Sequence, residues 1–548
     1  MTTNRFNPAL RWLLGNSLMV IALVVLLFNF SVYITYGINL IQFPFDYDQG
    51  EGFELVDVIL FSQGQFPYRD TDHYPFYSSN YPPLFHIFPL PFMWVFGAHY
   101  WYGRLLSFVA VMIGAGVIGL AVHRTIPNRW IALCAGLAFL SSNTIYHISP
   151  LFRQHMTMVV FEIVAITVLA WASEHPKPRL WRYALGLFVL IMAGYTKQLA
   201  AFSALGALVF LCIRNPRRGI LLGMGFAGVG LGIFAWLNWA TAGQWFQQAI
   251  AANVNDYYAQ QTVGLFRLWF RLHKFLIIPT LLYIAYELYF TRLSVYSIWF
   301  IFSLINGMAS GGWGAGDSYF ATSIAAMCVL SGLFFARLLH NQWEIAPDHR
   351  WMAWIKPLTT HATPSLIAKV AIVVVPLGYM GYGLNTLKMP TNLPVYETVA
   401  RWLKLTPNAP AHVGEKTFYD SAGRIAGGYA NIGHLTTPAD VEAGWQLVEL
   451  IQASAKPVIT EDAGFNIVAG REVITNPTQL RNLAHNDLFD DTELIQMIEQ
   501  QEFGAIIFRA QFYPPRVLQA IHEAYEPNES ESVMMNGFKY IVMRPRTK

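Results

Sequence analysis

Three carboxylates stand within six positions in the stretch Phe45-Asp46-Tyr47-Asp48-Gln49-Gly50-Glu51-Gly52-Phe53-Glu54, directly after a first long apolar run at about 12–36. Asp48 and Glu51 are three apart, so a helix starting there carries both on one face. Asp46 then sits in the extended entry to that helix. Carboxylates converging at a bilayer boundary suit general-base work on a hydroxyl or the binding of a cation. An acidic helix start held by the helix dipole would give the same pattern, and these ten residues alone leave both readings open.

The chain around them is that of a membrane protein. Of its 548 residues 54% are hydrophobic, 15% aromatic and only 13% charged, against about 25% charged in soluble domains. The mean hydropathy of +0.36 averages a very apolar part with an ordinary one. A net charge of +3 is too small to imply nucleic acid as a partner. Cys134, Cys212 and Cys328 all fall in apolar segments, which excludes a disulfide framework in the polar part. The first apolar run is too long for the core of a signal peptide, and no small-x-small cleavage pattern follows it, so we read it as a retained span.

Spans of roughly 20 apolar residues and basic inside loops give the topology. Arg5 and Arg11 place the amino terminus inside, so the acidic stretch emerges outside. A long external loop, 39–100, follows, and its piece Leu84 to Phe96, broken by Pro89 and Pro91, is expected to lie along the interface. Further spans are expected near 103–122, 130–145, 156–172, 183–194, 199–213, 219–239, 276–290, 295–308, 319–339 and 370–384. Between two of them, 244–274 is expected as an external amphipathic loop. About eleven spans starting inside put everything after Leu387 outside. The division is a transmembrane part, 1–388, and an extracytoplasmic α/β domain, 389–548. In the latter, β-type runs at Ala411 to Gly414, Pro457 to Thr460, Ala505 to Phe508 and Tyr540 to Met543 alternate with helical stretches from Val395, Val441 and Asp491. Its Gly423 to Gly428 region lacks a dinucleotide fingerprint.

On this topology Asp46, Asp48, Glu51, Arg153, His155, Lys197 and Asp317 all come out on one side, and a bundle could gather them into one cavity. Ionisable groups held near lipid are costly and usually functional.

Asp48-x-x-Glu51 after the first span, Asn80-Tyr81-Pro82-Pro83-Leu84-Phe85, Phe96-Gly97, Gly103-Arg104-Leu105-Leu106-Ser107 and the turn Tyr195-Thr196-Lys197-Gln198 together resemble the GT-C glycosyltransferases. Within them the pattern is most similar to the branch holding lipid A aminoarabinose transferase and the protein O-mannosyltransferases. The resemblance implies a mainly α, polytopic helical bundle of GT-C type in a bacterial inner membrane. It implies inverting transfer of a sugar from a polyprenyl-phosphate donor to a lipid, glycan or protein acceptor outside. Asp48 is then the first choice for the base, with Glu51 second and Asp46 beside them. Lys197 and Arg153 would offset phosphate charge, while Tyr81, Asp317 and Tyr319 would bind substrate. Many relatives carry an aspartate just after the arginine of the second external loop, where this chain reads Arg153-Gln154-His155-Met156. His155 is left as substrate ligand, partner of the base, or metal ligand with Asp48, and a divalent cation is a candidate cofactor. A transporter or flippase of lipid-linked glycans is the alternative, though no internal repeat supports it. A non-catalytic membrane scaffold is a third.

Overall fold

The structure is a computed structural model that describes residues 8–175, 179–343, 364–387, 390, 393–405 and 433–547. Among the described residues the membrane part is mainly helical. α1 (Pro8–Gln42) leads to α2 (Glu51–Ser62) and the short pair α3 (Leu84–Ile87) and α4 (Leu90–Phe96). Then come α5 (Trp101–Thr125), α6 (Arg129–Leu140), α7 (Asn143–Ile148), α8 (Gln154–Glu174), α9 (Leu180–Thr196), α10 (Ala201–Arg214) and α11 (Pro216–Ala240). α12 (Gln244–Ala249), α13 (Ala259–Phe290), α14 (Val295–Met308), α15 (Ala321–His340) and α16 (Pro364–Thr386) complete it.

Each expected apolar segment is therefore helical. Six helices among the described residues are long and apolar enough to cross a bilayer, and shorter apolar helices pack among them. Asp317–His340 is almost wholly enclosed by its neighbours, whereas Pro216–Ala240 is mostly exposed. The first suits the centre of a bundle and the second a lipid-facing rim. The protein is an integral membrane protein.

One expectation is corrected. Most of 244–274 is not a loop, because α13 begins at Ala259 and runs 32 residues without a break, carrying Pro279 inside it. No glycine or proline stands between Gly264 and Pro279 to end it, and both Trp269 and Leu272 are buried against the bundle. Its amino-terminal end grips the glycine-rich loop after α14. The Tyr258 N–H donates to the Gly311 carbonyl at 2.7 Å, and the Gln261 amide donates to the carbonyls of Ser310 and Ala315.

The carboxy-terminal region is α/β. Helices α17 (Pro394–Leu403) and α18 (Pro438–Ala453) precede β1 (Val458–Thr460). After it come α19 (Ala463–Val468), α20 (Pro477–His485), α21 (Thr492–Glu499), β2 (Ala505–Phe508), α22 (Pro515–Ala524), β3 (Tyr525–Met535) and β4 (Phe538–Pro545). The sheet order is β1-β2-β4-β3. β1 and β2 are parallel, and both other pairings are antiparallel. β3 is absent from the strands expected above, because Glu526 to Ser532 has no apolar alternation. Its turn was readable: Asn536-Gly537, both at positive φ, is the dipeptide that closes two-residue hairpins. Ala411 to Gly414, Gly423 to Gly428 and Arg5 lie outside the described residues.

Candidate active site

The chain leaves α1 and passes through 43–50 without regular structure before α2 begins at Glu51. Arg104, from α5, organises this passage. Its Nε and Nη2 donate to Glu51 at 2.8 and 2.7 Å, and its remaining donors reach the carbonyls of Leu40, Phe43 and Phe45. All five guanidinium donors are thereby used. The Glu51 carboxylate also accepts the backbone N–H groups of Tyr47, Asp48 and Phe152. Burial alone would push its carboxyl up, but Arg104 outweighs that and holds it below its ordinary value.

Asp46 is equally committed. Its oxygens accept the N–H groups of Gly52 and Gly464 and the Tyr100 hydroxyl. Burial, then the nearby Asp462 and Glu51, drive its carboxyl well up.

Of the three expected carboxylates, Asp48 alone lines the cavity. This corrects the catalytic expectation for Glu51 and Asp46. Both are fully buried, with their oxygens occupied by donors that build the loop, so neither can reach a substrate hydroxyl.

The cavity holds about 550 Å³ between the bundle and the carboxy-terminal region. Asp48, Arg153, Lys197, Tyr81 and Tyr319 all line it, so residues far apart in sequence do meet here. Arg153 Nε is 3.4 Å from Asp48 Oδ2. Its guanidinium lies 5.8 Å from the Tyr81 ring centre, and Lys197 Nζ stands 4.9 Å above the same ring and 5.8 Å from that of Tyr319. Two cations over aromatic faces, in a partly dehydrated pocket, form a receptacle for an anionic group. Burial raises the Asp48 carboxyl and Arg153 opposes it, which favours a base of useful strength. Burial and then Arg153 push the Lys197 ammonium, in the turn after α9, down to about 7. Arg153 also explains Gly50: a Cβ there would lie 1.3 Å from its Nη1.

Asp317 is placed elsewhere. Its carboxylate turns toward α7, accepting from the Thr144 hydroxyl and lying 3.2 Å from His147 Nε2, and it does not line the cavity. This corrects its substrate-binding expectation, since the 3-10 turn Asp317–Phe320 directs Asp317 and Tyr319 to different sides. His155 is buried with its ring 6.0 Å from that of Tyr319, and it too is outside the cavity lining. Among the described residues no group of three or more His, Cys, Asp and Glu side chains could hold a metal ion. Asp48 lines the cavity and His155 does not.

The sequence reading missed a second acidic set. Glu54 and Asp57 follow Glu51 at three-residue spacing on α2, and both line the cavity. His86 from α3 joins them, with Nε2 2.6 Å from Glu54 Oε2 and 3.5 Å from Asp57 Oδ2. Tyr77 donates to Asp57, and Arg153 Nη1 is 3.5 Å from Glu54. Burial lifts the Asp57 carboxyl to about 6. For His86 burial works downward, but Asp57 and Glu54 win and raise the imidazole. The acidic stripe was visible in the sequence, while the histidine partner was not.

Residues 80–241 match the family model for dolichyl-phosphate-mannose-protein mannosyltransferase. The fold is shared with two crystal structures of ArnT from Cupriavidus metallidurans. The apo form is 13% identical with a TM-score of 0.56, covering 98% of each chain. The form bound to undecaprenyl phosphate is 12% identical with a TM-score of 0.51, covering 94% of this chain and 97% of that one. No curated protein matches the chain in sequence. Over residues 80–241 the chain is thus similar to that mannosyltransferase family, and its fold is the one the ArnT structures have. At such identities the resemblance to ArnT is one of fold.

Proposed function

We propose that the protein transfers a sugar from a polyprenyl-phosphate donor to an acceptor hydroxyl on the extracytoplasmic side, with inversion at the anomeric carbon. The observation that carries this reading is that Asp48 lines the cavity beside Arg153, with Lys197 in the same lining. Asp48 takes the proton of the acceptor hydroxyl as its oxygen attacks the anomeric carbon. The bond from that carbon to the phosphate oxygen breaks, and polyprenyl phosphate leaves with the bonding electrons. Arg153 and Lys197 stabilise the charge gathering on the phosphate. Holding base and donor in one pocket supplies the orientation that such a displacement needs. The structure of ArnT with undecaprenyl phosphate supports a lipid-phosphate ligand for this fold. A cytoplasmic amino terminus, an inner-membrane location and a carboxy-terminal region outside belong to the same proposal.

The test uses purified full-length protein in lipid, offered a panel of polyprenyl-phosphate sugars with hydroxyl-bearing lipid, glycan and peptide acceptors. Wild type should release polyprenyl phosphate with at least one donor. Asp48→Asn should bind that donor and release none. Unchanged release by Asp48→Asn would remove Asp48 as the base, and no release by wild type with any combination would sink the reading.

A further inference from the structure

The segment Glu461-Asp462-Ala463-Gly464, just after β1, touches the loop that carries Asp48. Its Gly464 N–H donates to Asp46 at 2.8 Å, and the two segments approach so closely that a Cβ at Gly464 would lie 2.3 Å from Asp46 Oδ2. The Glu461 carboxylate accepts the four successive backbone N–H groups of Arg509, Ala510, Gln511 and Phe512. That cradle fixes the loop after β2, in which Gln511 is left-handed at φ 59. Arg509, Ala510 and Phe512 from this loop line the cavity.

Arg509 spans the gap. Its Nη1 lies 3.1 Å from Asp462 Oδ2, and Asp462 is in turn held by the Tyr540 hydroxyl. The guanidinium lies 4.1 Å over the Phe538 ring. Its Nη2 donates to the Tyr47 carbonyl at 3.1 Å. The N–H of the same peptide group, that of Asp48, donates to Glu51 at 3.2 Å. The peptide plane just before the Asp48 Cα is thus clamped at both ends, by the bundle through Glu51 and by the carboxy-terminal region through Arg509.

We propose that Arg509 is a positioning residue for catalysis: by holding the Tyr47 carbonyl it fixes the backbone that aims the Asp48 carboxylate into the cavity. The inference rests on Asp48 being the base. Residues 43–50 have no helix or strand to hold them, so hydrogen bonds from outside must set the direction of the side chain. A base displaced by about 1 Å loses roughly 100-fold in rate. Arg509 also lies near enough to lower the Asp48 carboxyl, so its loss should show in the pH dependence as well.

The experiment compares wild type with Arg509→Met and Arg509→Lys, full length in lipid, using the donor that wild type turns over. Arg509→Met should lower kcat by about 10- to 100-fold while the KM for the donor and the affinity for polyprenyl phosphate stay within about twofold. The acid limb of its pH–rate profile should move to higher pH, and Arg509→Lys should recover part of the rate. Should the Met variant not fold, Asp462→Asn, which loosens the guanidinium but leaves it in place, should show a smaller loss of kcat with the donor KM unchanged; its acid limb is no test, because Asp462 itself raises the Asp48 carboxyl. Wild-type kcat and an unmoved acid limb in Arg509→Met would overturn the inference alone. So would a rate loss that merely tracks loss of folded protein. A wild type that transfers nothing would overturn the functional reading, and with it the role given to Arg509.

Discussion

Glu51 and Arg104 meet in a fully buried ion pair, Nη2 to Oε2 at 2.7 Å, at the point where α2 starts beneath the cavity floor. Removing one partner of such a pair strands the other charge, which costs about 3–5 kcal/mol. Glu51→Gln should therefore lower the unfolding temperature and the yield of folded protein. Asp48→Asn should change stability little, because Asp48 has one longer contact to Arg153 at 3.4 Å. Thermal unfolding in detergent separates the two, and a Glu51→Gln protein as stable as wild type would show that the pair does not hold the loop.

Lys197 should make donor binding depend on pH. Its ammonium is pushed down to about 7 by burial and Arg153, so the cation is present below that pH and lost above it. A bound phosphate favours the charged form and raises that value. Binding of polyprenyl phosphate should accordingly take up a proton near pH 7 to 8 and weaken as pH rises further. Calorimetry in buffers of different ionisation enthalpy would register the uptake. Lys197→Ala should abolish it, and uptake that persists in that variant would assign it to another group.

His86 and Asp57 should make stability fall with rising pH. Both groups are held above their ordinary values in the folded protein, Asp57 at about 6. The folded state therefore binds more protons than the unfolded state in the range where each titrates. For Asp57, ionisation costs the folded state as pH climbs from about 4 to 6. For His86, the stabilisation is complete below the unfolded value and disappears as pH passes the folded one. The unfolding temperature should drop as pH rises from about 4 through the raised value of the folded imidazole, and His86→Gln should flatten the upper part of that curve. A His86→Gln curve parallel to wild type throughout would count against the imidazole.

Gly50→Ala should act through Arg153. The added methyl would overlap Nη1, and the mobile end of the arginine can swing aside more cheaply than the backbone can move. The guanidinium would leave Asp48 and Glu54, so KM for the donor should rise several-fold while the unfolding temperature stays near wild type. An unchanged KM would mean that the arginine does not hold the donor.

The bundle was legible because apolar runs and basic turns mark helices and their ends without any long-range information. The meeting of Asp48, Arg153, Lys197, Tyr81 and Tyr319 was legible because charged and aromatic groups at a membrane boundary stand out against their surroundings. Which carboxylate faces the cavity was not. That depends on Arg104, fifty-three residues beyond Glu51, claiming one acid, and on Gly464 and Tyr100 claiming another. For Asp317 the reason is related, since within one 3-10 turn neighbouring side chains point different ways, which loop topology does not resolve. The resemblance found the Gly103-Arg104 motif, but the partner of that arginine became visible only in three dimensions.

Helix α13 has a consequence for the membrane itself. Its 32 residues make a rod about 48 Å long, against a hydrocarbon core of about 30 Å. The end that holds the Ser310 to Ala315 loop, and with it one wall of the cavity, stands on a mast whose height the protein sets. The headgroup plane is set by the lipids instead. A donor tethered in a thicker bilayer would present its sugar higher up that mast, and in a thinner one lower. On the proposed function, acyl-chain length should then tune turnover, although no cavity residue need touch an acyl chain.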